Sequence, residues 1–141
     1  MTASARRRLY APPDRISLLQ IAPISRATLA LFAGASNDHN PVHIDLDAAR
    51  AAGMDDVFAQ GMLPMAYLGR ALTREFGPRA LREFGVRFTA ITRVHDRLDC
   101  VGEVTAVERQ PAGQQLTLRL TVIGPRGEAV LVGDAVVEIE D

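Results

Sequence analysis

Gly61-Met62-Leu63-Pro64-Met65-Ala66-Tyr67-Leu68-Gly69-Arg70-Ala71-Leu72 is the stretch that decides the architecture. Wound at 3.6 residues per turn, its apolar side chains cover nearly the whole circumference as far as Arg70. A helix that is apolar all round is a buried helix. In a chain of 141 residues it has to be wrapped by the rest of the molecule, and a chain of this size forms one core and one domain.

The C-terminal half supplies the wrapping. Leu98, Cys100, Val104 and Ala106 alternate with Arg97, Asp99, Glu103 and Thr105, and Leu116, Leu118, Leu120 and Val122 alternate with Gln115, Thr117, Arg119 and Thr121. Period-two alternation marks strands with one dry face and one wet face. Leu131, Ala135, Val137 and Ile139 continue the pattern, and residues 85–94 read as a fourth, less regular strand. Gly124-Pro125-Arg126-Gly127 is a tight-turn sequence that sets two of these strands antiparallel. The predicted fold class is α+β, an antiparallel sheet curled around one long central helix. Such a sheet has free edges and an incompletely covered face, for which a homodimer is the simplest remedy, with higher or heteromeric assemblies as variants of it.

The first half reads as helical and loop-rich. Ser25 caps a predicted helix over 26–35, with Leu29 and Phe32 on a shared face. That helix has to end near Asn37–Asn40, because Asn40 precedes Pro41 and is pushed out of the α region. Asp45 or Asp47 caps a short helix over 48–52 that Gly53 stops. Residues 1–13, with Arg6, Arg7 and Arg8 ahead of Leu-Tyr-Ala-Pro-Pro, read as a flexible or lightly docked arm, and 14–141 as the domain. The arm has no signal-peptide apolar core, so a cytoplasmic location is expected.

Composition narrows the chemistry. With 48% hydrophobic and 23% charged residues and a net charge of -1, nothing favours a nucleic acid or a membrane as partner. All 16 basic residues are arginine, which excludes Schiff-base chemistry and a P-loop lysine. No Gly-x-Gly-x-x-Gly or Walker pattern occurs, so no cofactor is expected. None of the four serines sits in a Gly-x-Ser-x-Gly elbow. A single cysteine, Cys100, excludes an internal disulfide and multi-cysteine metal sites, and its strand position makes it a small buried hydrophobe.

One dense polar stretch remains: Ser36-Asn37-Asp38-His39-Asn40-Pro41-Val42-His43. It packs a carboxylate and two imidazoles into a forced non-helical bend, and Pro41 fixes the backbone between Asp38 and His43. The two side chains can thus be held toward one point, as proton transfer demands. On spacing alone a plainer account stands beside it. Asp38 can cap a turn, Asn40-Pro41 is a common turn initiator, and His43 can be a hydrogen-bonded core histidine. No further ligand spacing supports a metal. His39 is expected in solvent, and His95 in a turn between strands.

Phe32-Ala33-Gly34-Ala35-Ser36-Asn37-Asp38-His39-Asn40-Pro41-Val42-His43, with Ala48 and Ala49 beyond it, resembles the signature of the MaoC-like, R-specific enoyl-CoA hydratases. Phe58-Ala59-Gln60-Gly61-Met62-Leu63 resembles the segment opening that family's central helix, with Gln60 where histidine is commoner. Val86-Arg87-Phe88 through Asp96 is similar to its Arg-Phe strand and the turn after it. The resemblance covers residues 14 to 139 and implies the hot-dog fold.

It also implies reversible hydration of trans-2-enoyl thioesters, on CoA or acyl-carrier protein, to (3R)-hydroxyacyl thioesters. In that chemistry Asp38 and His43 hold the water and shuttle its protons. The Gly61 N–H stabilises the enolate oxygen, and Asn40 braces the loop. The acyl tail would lie near Met62, Met65 or Tyr67, and Arg87 and Arg93 are candidates for the pantetheine phosphates. Two alternatives keep the fold. A thioesterase would need an acid on the central helix, where only Glu75 is available. A non-catalytic thioester-binding half of a heterodimer would have no use for the Asp38/His43 pair.

Overall fold

The computed structural model describes residues 9–140. In chain order it holds β1 (Arg15–Ile21), α1 (Arg26–Ser36), a 3-10 turn (Pro41–His43), α2 (Leu46–Ala51), α3 (Met62–Phe76), β2 (Leu81–Phe88), β3 (Leu98–Gln110), β4 (Gly113–Ile123) and β5 (Ala129–Glu140). The strands form one antiparallel sheet in the order β1-β3-β4-β5-β2. Its concave face holds α3, which touches β1, β2, β3 and β5. This is the hot-dog arrangement that the period-two strands and the apolar helix anticipate.

The core is the meeting of the two patterns. Leu63, Leu68, Ala71 and Leu72 on α3 pack into Leu98, Cys100 and Val104 of β3, Leu116, Leu118, Leu120 and Val122 of β4, and Leu131, Ala135 and Val137 of β5. Removing this much apolar surface from water is the main stabilising term of the fold.

Helix boundaries follow the capping chemistry. Ser25 Oγ accepts from the Thr28 N–H at 3.1 Å and starts α1. Asn37 ends α1 in the left-handed region, at φ 61°, a conformation asparagine tolerates better than most residues. Asp45 is the acid that caps α2, accepting from Asp47 N–H at 2.9 Å, so this helix starts at Leu46, two residues earlier than predicted.

Four details differ from the sequence reading. β1 is a strand in a region read as helical and loop-rich; a bulge between Ser17 and Leu19 breaks the alternation that would have revealed it. β2 runs over Leu81–Phe88 and not over 85–94: beyond Phe88 the chain leaves the sheet, and Phe58 bridges Arg93 instead. A bulge between Val104 and Ala106 turns Ala106 outward and brings Val107 against Leu116. The wrapping of α3 is incomplete as well. Met62, Ala66 and Arg70, one stripe at four-residue spacing, face solvent.

Of the N-terminal arm, residues 1–8 lie outside the described residues. Tyr10 is buried, its ring 5.6 Å from that of Phe76 and its hydroxyl donating to Glu75 at 3.0 Å. No helix among the described residues is long and apolar enough to cross a membrane.

Cys100 is buried on β3, and burial, aided by the neighbouring Asp99 carboxylate, pushes its thiol up to about 12. At pH 8 only about one molecule in ten thousand then carries the reactive thiolate. Native protein should therefore stay unlabelled by a thiol reagent while the urea-unfolded chain labels fully; rapid labelling of native protein would contradict this packing.

Candidate active site

The polar stretch folds as a relay of local hydrogen bonds. Ser36 Oγ accepts from Asp38 N–H at 3.2 Å, Asp38 Oδ1 from Asn40 N–H at 3.3 Å, and Asn40 Oδ1 from Val42 N–H at 3.2 Å. Each is a side chain bonding the backbone two residues on, the turn habit of Ser, Asp and Asn. Ser36 Oγ in turn donates to the Phe32 carbonyl at 2.6 Å, tying the relay to the end of α1. Pro41 then opens the 3-10 turn, with His43 N–H donating to the Asn40 carbonyl at 3.1 Å. Asn40 thus braces the loop through its own side chain.

The relay occupies Asp38 Oδ1 and leaves Oδ2 to face His43, whose Nε2 lies 3.7 Å away. The histidine side chain is 10% exposed and the carboxylate 41%. His43 is held from behind, with Nδ1 2.7 Å from the Phe58 carbonyl and the ring edge-on to the Phe58 ring at 5.0 Å. A carbonyl can only accept, so Nδ1 carries the proton. In the neutral ring, Nε2 is then an acceptor turned toward a second acceptor. Two acceptors at 3.7 Å do not bond each other; they suit one water that donates a hydrogen to each, at ordinary lengths of about 2.8 Å.

Beside them lies a cavity of about 370 Å³ whose lining includes His43, Gly61, Pro64, Phe88, Thr92 and Leu131. Gly61 precedes the first turn of α3, where N–H groups have no intrahelical acceptor and the helix dipole is positive. Its N–H has no acceptor among the described residues. Neither its φ of -56° nor its surroundings demand glycine: an added Cβ would meet only the Phe88 ring, at 3.8 Å. The lack of a side chain leaves the approach to that N–H open.

The other candidates are placed as follows. Met62 is half exposed on the outer stripe of α3, and neither it nor Met65 nor Tyr67 lines the cavity; the α3 residue that does is Pro64. His39 is exposed, and His95 sits at φ 71° in the turn before β3, away from the cavity lining. Arg87 and Arg93 are exposed. Glu75 lies at the far end of α3, engaged by Tyr10. Among the described residues no three His, Cys, Asp or Glu side chains cluster as a metal site would need. Among the lining residues that sequence reasoning did not single out are Phe88, the last residue of β2, and Thr92, which lies where the chain has left the sheet earlier than its pattern announced.

Known proteins resemble this chain in sequence and in fold. A family model described as MaoC like domain matches residues 10–124. The (R)-specific enoyl-CoA hydratase of Rhodospirillum rubrum is 32% identical over 118 residues, covering 82% of this chain and 80% of its own. Among solved structures, the unliganded R-hydratase from Pseudomonas aeruginosa superposes with a TM-score of 0.81 at 27% identity, covering 94% of this chain and 84% of that one. The (R)-hydratase from A. caviae involved in PHA biosynthesis gives 0.79 at 22% identity, over 96% and 99% of the two chains, a likeness of fold.

The tautomer is open to direct measurement. Nitrogen-resolved NMR of neutral His43 should show the proton on Nδ1, slow to exchange because it is bonded to the Phe58 carbonyl; a proton on Nε2 would contradict this arrangement.

Proposed function

The chain belongs to the MaoC-like dehydratase family, and on that footing we propose that it adds water across the double bond of trans-2-enoyl thioesters, giving (3R)-hydroxyacyl thioesters, and runs the reverse dehydration. The observation that carries this reading is the pair of acceptors, Asp38 Oδ2 and His43 Nε2, 3.7 Å apart beside a cavity that also holds Gly61.

The steps follow from that placement. A water donating to both acceptors turns its lone pairs toward C3 of the enoyl group. As the oxygen attacks C3, one water proton passes to the pair, and the C2=C3 electrons move toward the thioester carbonyl. Charge gathers on the carbonyl oxygen, where the Gly61 N–H and the positive end of α3 offset it. The proton is relayed onward to C2, so that H and OH of one water end on C2 and C3. No net proton or electron is exchanged with the protein. A dry, pre-aimed site of this kind acts mainly by positioning.

CoA or an acyl-carrier protein supplies the thioester handle. Glu75, the acid that a hot-dog thioesterase reading would use, is remote from the cavity and held by Tyr10. A second copy of the chain is the natural partner. Met62, Phe88 and Ile91, each about half exposed, gather near the cavity mouth, and β2 presents a free sheet edge beside them.

Purified protein with crotonyl-CoA should lose the enoyl absorbance as water adds. Asp38→Asn or His43→Gln should lower kcat by roughly 10²–10⁴. The double variant should lose little more, because the two groups act as a unit. Release of free CoA would favour the thioesterase, and absence of turnover on every enoyl thioester would favour a binding role. Light scattering should return twice the mass of one chain, and Phe88→Glu should shift it toward the monomer; a monomeric wild type would remove the partner from this account.

A further inference from the structure

Three consecutive residues ahead of α3 are each tied to a different part of the fold. The Phe58 carbonyl accepts from His43 Nδ1 at 2.7 Å, and the Ala59 N–H donates to the Thr92 carbonyl at 2.9 Å. Gln60 Nε2 donates to the Leu29 carbonyl of α1 at 2.9 Å, across 31 positions of sequence. The main-chain carbonyl of Gln60 accepts from Leu63 N–H at 3.0 Å, in the first turn of α3. Turning the side-chain amide over would set Oε1 against another carbonyl oxygen, so the bond to Leu29 fixes its orientation. The side chain is fully buried, and Oε1 has no partner among the described residues.

This amide is a poor source of stability. Leu29 lies within α1, whose own ladder uses its carbonyl, so that carbonyl stays paired without Gln60. A buried oxygen with no donor is a cost. An apolar side chain of the same shape would remove the donor and the unpaired oxygen together, a change close to neutral for the fold. What the amide supplies is placement. Of the three ties it is the one made by a side chain of the segment itself, on the residue that precedes the Gly61 N–H.

We propose, resting on the hydratase reading, that Gln60 is a positioning residue whose bond to α1 sets the Gly61 N–H at a fixed distance from the Asp38/His43 dyad. Helix α1 is the common reference. The relay that aims Asp38 is tied to it through Ser36 Oγ, which donates to the Phe32 carbonyl at 2.6 Å, and Gln60 is tied to it at Leu29. Those two carbonyls are three residues apart on one rigid helix, about 4.5 Å along its axis. The water held by the dyad reacts at C3, while the Gly61 N–H meets the oxygen on C1. An error in the spacing of these two points therefore weakens the developing enolate and leaves the binding of the ground-state thioester nearly intact. Gln60, having no exposed surface, acts through the backbone and not by touching the reacting atoms.

The test is Gln60→Met, which keeps the length of the side chain and loses its donor. With crotonyl-CoA this variant should show kcat lowered by about tenfold or more. Its KM should stay within about twofold of the wild type, and its Tm should be no lower. Gln60→His sets an imidazole N–H the same number of bonds from Cα as the lost amide N–H and should restore most of kcat. A merely structural amide gives the opposite pattern, a lower Tm with kcat per folded molecule unchanged. Four results overturn the positioning role and leave the hydratase reading intact: unchanged kcat in Gln60→Met, a loss confined to KM, a Gln60→Met chain that does not fold, or a loss that Gln60→His does not restore. Failure of the wild type to hydrate any enoyl thioester refutes that reading, and this role with it.

Discussion

The hydrogen bond from His43 Nδ1 to the Phe58 carbonyl, 2.7 Å long and spanning 15 positions of sequence, is the interaction on which the site depends. It joins the bend after α1 to the segment that leads into α3, the two pieces of chain that carry the candidate residues. It also chooses the tautomer. With the proton pinned on Nδ1, Nε2 offers a lone pair, and Asp38 Oδ2 at 3.7 Å offers another. A donor-to-acceptor contact between the two would have closed on itself; a matched pair of acceptors calls for a third party that brings protons. The buried amide of Gln60, bonded to Leu29, ties the same segment to α1 by a second strut two residues farther on. Phe58 to Gly61 is thereby held from two sides, so the dyad and the helix tip keep their spacing.

The fold was legible where one physical pattern ran uninterrupted. Leu116 to Val122 alternates without a break, and the structure pairs it in register with β5, while on the β3 side the one extra residue of the bulge lies opposite Leu118 and Thr117. The apolar run after Gly61 is a helix, as its period requires. Legibility failed where the backbone stepped out of period. The bulge beside Thr105 swaps Ala106 for Val107, and the one beside Leu18 hides a whole strand, because an extra residue reverses which side chains face inward. Residues 89–92 carry β-like composition but line a cavity, a tertiary role that local pattern does not encode. At the site, the bend could be read from Asn40-Pro41 because its hydrogen bonds are local. The contact of His43 with Phe58 could not, since nothing in either stretch names the other.

The helix shows what a single chain leaves unfinished. An all-apolar circumference implies full enclosure, yet the stripe of Met62 and Ala66 is uncovered. Exposed apolar residues grouped on one face are where the proposed second copy would dock.

Cys100, locked beneath the sheet with its thiol pushed up to about 12, has a further meaning in a chain whose basic residues are all arginine. Thioesters are acylating agents, and the side chains they modify spontaneously are lysine amines and cysteine thiolates. This molecule shows them neither: guanidinium groups stay protonated and poorly nucleophilic, and the lone thiol is out of reach. Under the proposed thioester chemistry, the chain is built from side chains that activated acyl groups leave unmarked.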